Sequence, residues 1–313
     1  MRALLTTITM ISLACVAFGA SQTIDGLGID LATWGVPASA VQDTNTQFGN
    51  NFNEMNQLFV DSDNSSVYLG IPGNLADNNA ITIFIDTDLA AGYHPFVTEP
   101  GVEVPCVGEY PRLLRYYEGA RISDPNLPAV FTPDYALSIS VGIFPGQSRS
   151  QLVYACDLTD LNTFEVTVLG IGAVGSGNGL LTGSSGVQIA IDNSNIVGVG
   201  DWYTPDGETP AQTGDDPTAA NTGIEIAIPR ALIGLNVPTP TDVSIFAFLT
   251  NNAQSDEGNP GVCNAAAYGS NQALPGLAGW GNMAVFNGGS AVLDLSANPL
   301  PNFAATVIQG VIP

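Results

Sequence analysis

The sequence contains no lysine and only one histidine, His94. Its six basic residues are all arginine and face 29 acidic ones, for a formal net charge of −23. A surface of that sign repels nucleic acid and anionic membrane. Without lysine there is no Schiff-base former, and one histidine without a Gly-x-Ser-x-Gly turn argues against triad chemistry. Charge of either sign is scarce: 11% of residues carry it, against about 25% in an ordinary globular chain. Solubility therefore falls to Asn, Ser, Thr and Gly, a composition that suits extracellular β-proteins. Beyond the N-terminus no apolar run is long enough to span a bilayer, because Gly, Pro or Asp breaks each one. No long amphipathic helical pattern occurs, which disfavours a parallel α/β architecture.

Cysteine is also sparse. Residues 1–20, MRALLTTITMISLACVAFGA, read as a secretory signal peptide: Arg2 leads an apolar stretch that ends in small residues. Its removal takes Cys15 and leaves Cys106, Cys156 and Cys263. Export to an extracellular or periplasmic space permits a disulfide. Cys106 with Cys156 is the favoured pair, with Cys263 able to replace either. Their spacing matches no zinc pattern.

What is present is short alternating apolar segments. Residues 55–60, 67–71 and 81–85 are three in quick succession, separated by Asp/Asn/Ser-rich and Gly/Asn-rich turns. They read as an antiparallel strand meander. Further strands are expected at 135–143, 151–156, 164–169, 187–191, 223–228, 243–250, 283–286 and 291–295, with an edge strand at 304–308. Pro229 opens a short helix to Leu235, and residues 113–120 fit another. Residues 251–282 read as loop. Two long insertions, 89–133 and 200–221, interrupt the strands, and insertions of that length tend to be functional. Gly170-x-Gly172-x-x-Gly175 has the letters of a dinucleotide fingerprint, but more glycine follows where a helix is needed, so it reads as a hairpin loop. The whole describes one all-β domain over 21–313, an antiparallel sandwich with long loop insertions and one or two short helices.

The candidate binding residues lie in the insertions. Asp201-Trp202-Tyr203 with Asp206 combines a flat aromatic face, which suits the apolar face of a sugar, with carboxylates that accept hydroxyl hydrogen bonds. Trp280, between two glycines, is a further platform, whereas Trp34 reads as core. Tyr110, Tyr116 and Tyr117 beside Arg112 and Arg115 read as anchors of the first insertion. Asp61 with Asp63, and Asp86 with Asp88, are the candidate calcium ligands, being hard oxygen donors on short loops that lack EF-hand spacing. Glycoside hydrolysis needs only a spaced pair of carboxylates, and nothing here selects a pair among the 29 acids.

Thr23-Ile24-Asp25-Gly26 followed by Trp34, then residues 57–60, 67–71, 73–75 and 83–87, resembles family-9 carbohydrate-binding modules and DOMON-like sandwiches. The similarity extends to uncharacterised secreted bacterial proteins through Asp134-Tyr135, 191–195 with Gly198-Val199, 223–229, 270–272 and 274–277. The resemblance implies a jelly-roll-like sandwich. Its ligand would be carbohydrate, here a polysaccharide or cell-surface glycan, or else haem or no known ligand; calcium, the one metal considered, comes from the Asp clusters above and not from the resemblance. Haem-binding relatives use Met and His as axial ligands; His94 has no Met beside it, so haem is disfavoured. An extracellular structural protein without a small ligand, and a carboxylate-pair hydrolase, are the rival readings.

Overall fold

Alternation becomes pairing in a computed structural model, which describes residues 21–46, 51–76, 79–87, 134–142, 152–160, 165–175, 181, 185–200, 215–235, 241–251, 269–277, 281–283 and 304–308. The strands are β1 Ala40–Val41, β2 Asn53–Met55, β3 Gln57–Ser62, β4 Ser66–Leu75, β5 Asn79–Asp86, β6 Tyr135–Gly142 and β7 Val153–Asp160. They continue with β8 Glu165–Ala173, β9 Gln188–Ile191, β10 Gly223–Pro229, β11 Thr241–Asn251, β12 Gly269–Leu277, β13 Gly281–Met283 and β14 Ala304–Ile308. One single-turn helix, α1 Leu31–Trp34, precedes them.

The strands form two antiparallel sheets. The first runs β1-β3-β4-β10-β9, with β2 also on β4; the second runs β13-β12-β11-β5-β6-β7-β8, with β14 also on β11. The protein is an all-β sandwich. Its core follows from period two: Val67, Leu69 and Ile71 of β4 and Ile224, Ile226 and Ile228 of β10 face Ile81, Ile83 and Ile85 of β5 and their neighbours on β6 and β11, in one buried cluster.

The middle of the second sheet, at β5 and β11, is buried on both faces. Phe84, Phe246 and Phe248 point away from the inter-sheet core and are still fully buried, with ring centroids 5.8 and 5.9 Å apart. This matches the continuous apolar run expected for β11.

Three expectations are corrected. The 55–85 meander is broken: β3 and β4 form a hairpin, but β4 then pairs with β10 and β5 with β6 and β11, so the chain changes sheet between Leu75 and Asn79. Both strands bury their Ile and Val faces, and the sandwich lets them do so against each other. Residues 251–282 contain β12, whose Gly, Asn and Pro content hid a strand. The glycine-rich stretch from Gly170 does not start a loop, since β8 runs on through Ala173. At the other expected helix, Pro229 ends β10 and caps a 3-10 turn, Arg230–Ile233. Residues 113–120, 284–286 and 291–295 lie outside the described residues.

Gly172 explains itself through Tyr154. A Cβ there would lie 2.6 Å from Tyr154 Cε1 and closer still to the far end of the ring. The fully buried Tyr154 crosses from the second sheet to the first, and its hydroxyl donates to the Ile189 carbonyl at 2.5 Å. Burial pushes this phenol far above its usual range, so it remains a donor at any working pH. Tyr154→Phe strands that carbonyl, and should lower unfolding free energy by about 2 kcal/mol in a urea titration. On the same strand, Cys156 is a free, fully buried thiol in the inter-sheet core; its expected partner, Cys106, lies outside the described residues.

Candidate functional site

One end of the sandwich gathers the ends of β4, β9 and β11 with the starts of β2, β5, β10 and β12. Here residues 192–200 and 215–222 form no strand. Residues 192–200 are held on the sandwich by amide side chains rather than by a backbone ladder.

Asn193 grips the end of β4 on both sides: Leu75 N donates to its Oδ1 at 2.9 Å, and its Nδ2 donates to Leu75 O at 2.7 Å. Asn74 Nδ2 donates to Asn195 O at 2.8 Å, and Asn195 Nδ2 donates to Glu54 Oε1 and Val197 O at 2.5 Å each. Val199 N donates to Asn56 Oδ1 at 2.8 Å. Gly198, with φ +134°, lies so close to that amide that a Cβ would meet Asn56 Cγ at 2.5 Å. Gly200 is tied at both backbone atoms: its N donates to Asn45 Oδ1 at 3.3 Å, and its O accepts from Thr46 N at 3.0 Å. Gln272 of β12 joins the second sheet to this frame, donating from Nε2 to Thr44 O and accepting from Met55 N, both at 2.9 Å.

Asn45, Glu54, Asn56, Asn74, Asn195 and Gln272 are all buried. Gln42 Nε2, Asn56 Nδ2, Asn74 Oδ1 and Asp192 Oδ2 are buried without a protein hydrogen-bond partner among the described residues. Beside this polar frame, Phe52 is 65% exposed and Ile196 79%. The described segments that build this end, 42–46, 51–56, 74–76, 192–200 and 215–222, contain no basic residue. The field therefore favours neutral or cationic ligands over anionic ones.

The expected binding residues relate to this end as follows. Asp201, Trp202, Tyr203 and Asp206 lie outside the described residues, but the segment that carries them starts and finishes within the frame. Gly200 is its first foot. At the second, Asp216 N donates to Gly198 O at 3.2 Å, and Asp216 Oδ1 accepts from Thr218 N and Oγ1 to open a 3-10 turn, Pro217–Ala219. Trp280 is also outside, and its anchors differ: Leu277 pairs with Gly281 at the opposite end of the strands. The two platforms thus depart from opposite ends. The first insertion leaves from that opposite end too. There Thr87 N and Oγ1 both donate to Asp134 Oδ2, at 2.9 and 2.7 Å, which closes the neck around residues 88–133. Trp34 is core, buried as expected.

The expected calcium ligands fall in separate places. Asp61 lies one residue before the end of β3, accepting from Gln22 Nε2 at 2.7 Å and from Ser62 N at 2.8 Å. Asp63 builds the following turn, accepting from Ser65 N and Oγ, Ser66 N and Tyr68 Oη. Burial pushes its carboxyl up, but those hydrogen bonds outweigh burial and hold it below the usual range. Asp86 is buried at the end of β5 in the other sheet, and Asp88 lies outside the described residues. No group of three or more His, Cys, Asp or Glu among the described residues could hold a metal ion. No helix among them is long and apolar enough to cross a membrane.

Sequence reasoning missed the amide frame. Its signal was the high Asn content beside scarce charge, which reads first as turn chemistry. No family model, curated protein or solved structure matches the chain.

Proposed function

We propose that the protein is a secreted, non-catalytic β-sandwich module that binds carbohydrate at its polar end, through Trp202 and Tyr203 with Asp201 and Asp206. The observation that carries this reading is the amide frame, which fixes both feet of the 201–214 segment on a rigid scaffold. Binding surfaces commonly take this form: a loop presented by sheets that do not move. The lack of basic residues in the described segments at this end fits a neutral polyhydroxylated ligand. Exposed Phe52 and Ile196 add apolar surface beside it. The resemblance to family-9 modules points to the same ligand class.

The test is retention of the purified mature protein on a panel of insoluble polysaccharides, with and without EDTA. Retention on one polymer, at least tenfold weaker in Trp202→Ala, is the expected result, and loss in EDTA would assign calcium a role. No retention on any polymer, or retention unaffected by Trp202→Ala, overturns the reading. A structural role outside the cell is the second reading. It is favoured by Val168 and Ile171, which are 59% and 53% exposed on β8, the last strand of the second sheet. A purely monomeric species in light scattering at working concentration would sink it.

A further inference from the structure

Glu225 lies in an alternating strand, β10, on the face opposite Ile224 and Ile226, where a carboxylate would ordinarily meet water. Instead it is 1% exposed. The N-terminal segment crosses over it and builds a second small core on the outer face of the first sheet: Ile24, Ile29 and Trp34 pack against Phe59, Tyr68, Ala190 and Ala227. The approach is close. Gly70, the residue paired with Glu225 on β4, has no room for a Cβ, which would lie 2.6 Å from both Ile29 Cγ2 and Trp34 Cζ2.

The carboxylate is the polar centre of this covered face. Its Oε2 accepts from Asp25 N at 2.8 Å and Gly26 N at 2.7 Å, and its Oε1 accepts from Trp34 Nε1 at 3.3 Å. Besides this carboxylate and the apolar packing, backbone contacts with Asn221 and the start of β10 and side-chain ties hold the segment. Ile29 N donates to Asn221 O at 2.8 Å, Gly223 N donates to Gly26 O at 3.0 Å, and Gln22 Nε2 donates to Trp34 O at 3.2 Å.

We infer that residues 24–36 form a strap latched by Glu225, closed while that carboxyl is protonated and loosened when it ionises, and that loosening uncovers the apolar strip of Phe59, Tyr68, Ala190 and Ala227. The geometry carries this, because the one ionisable group at the centre of the contact is sealed from water and has no cation beside it among the described residues. On the strap stand Asp25 and Asp30, the latter capping α1 at Thr33 N. Toward β9 the paired residue is Ala190, with Asp192 beside Gly26. On β4 stands Tyr68, its hydroxyl on Asp63, and on β3 stands Asp61, held by Gln22. All are acidic or neutral. Burial, aided by the Asp25 charge, pushes Glu225 up to about 7 against the pull of its three hydrogen bonds.

A carboxyl raised by docking keeps its proton in the closed form and loses it in the open form between the two titration ranges. Closing therefore weakens as pH rises from about 4.5 towards 7 and changes little above that. From pH 5 to pH 8 the open fraction should grow on the order of a hundredfold. The inference does not depend on which ligand the polar end takes.

The test is hydrogen exchange of the full mature chain between pH 5 and 8, with each rate divided by its intrinsic value. Protection at Gly26 and Ile29 should fall about a hundredfold with pH while Leu69 and Ile226 stay protected. Glu225→Gln should abolish that step, and Asp25→Asn, which removes a negative charge beside Glu225, should shift it to lower pH. Strap protection that is flat with pH in the unmutated protein, or a step that survives Glu225→Gln, overturns the inference. Should Glu225→Gln fail to fold, the direction of the Asp25→Asn shift decides, and no shift or an upward one overturns it.

Discussion

Gly73→Ala is expected to cost about 4 kcal/mol of unfolding free energy, the largest loss from any single methyl group in the first sheet. Two costs add. Gly73 has φ +148°, a region that L-residues rarely enter, and holding alanine there costs about 1–3 kcal/mol. The new Cβ would also lie 2.9 Å from the Glu54 carbonyl carbon, 3.3 Å from Met55 Cα, and nearer still to the Glu54 oxygen. These are backbone atoms of the paired strand and cannot rotate away, so β2 must separate from β4. Glu54 moves with it, and Glu54 anchors Asn195. The loss should therefore appear in two places: a lower urea midpoint, and earlier exchange of the amides at 193–200. Gly35→Ala is the control. Gly35 has φ +73° but nothing within 4 Å of a Cβ, so its cost should stay near 1 kcal/mol. Equal losses at the two sites would show that backbone conformation alone, and not the close approach of β2, sets the cost.

Which parts of this molecule can be read from its sequence follows from the range over which each force acts. Alternation is local, so the strands at 81–85 and 223–228 were legible from Ile81, Ile83 and Ile85 and from Ile224, Ile226 and Ile228. Pairing is not local. β4 and β10 are joined across about half the chain, and β4 and β5, neighbours in sequence, belong to different sheets. β12 was illegible because Gln272 earns its buried place by bonding Thr44 and Met55 on distant segments, and not by apolar character. The amide frame was hidden for the same reason. Asn74, Asn193 and Asn195 look like turn residues until the segments they join are known. The aromatic candidates stood out by residue type, and what the fold adds is where their segments are anchored: residues 201–214 in the frame and Trp280 at the other end. Glu225 shows the limit most clearly. Its position in the alternation places it outward, and nothing near it in sequence reveals that a strap some 200 residues away covers it.

Trp34→Ala should remove most of what holds that strap, at a cost that itself depends on pH. Truncating a buried Trp typically costs about 3–5 kcal/mol, and here it also deprives Glu225 Oε1 of its donor. The cost to the whole domain has a ceiling, however. A variant whose strap no longer docks can leave it undocked, so it loses the docking free energy and no more. Docking is stronger where Glu225 keeps its proton. At pH 5 the expected loss is about 4 kcal/mol in a urea titration, and at pH 8 it is smaller by about 2 kcal/mol, because ionisation has already weakened the contact in the unmutated protein. In the variant Glu225 is open to water and titrates as it does in the unfolded chain, so the fall in stability between pH 5 and 7 should vanish. A Trp34→Ala cost that is the same at both pH values would mean that the apolar contact and the carboxyl act independently. A smaller cost at pH 8 would mean that they hold one and the same strap.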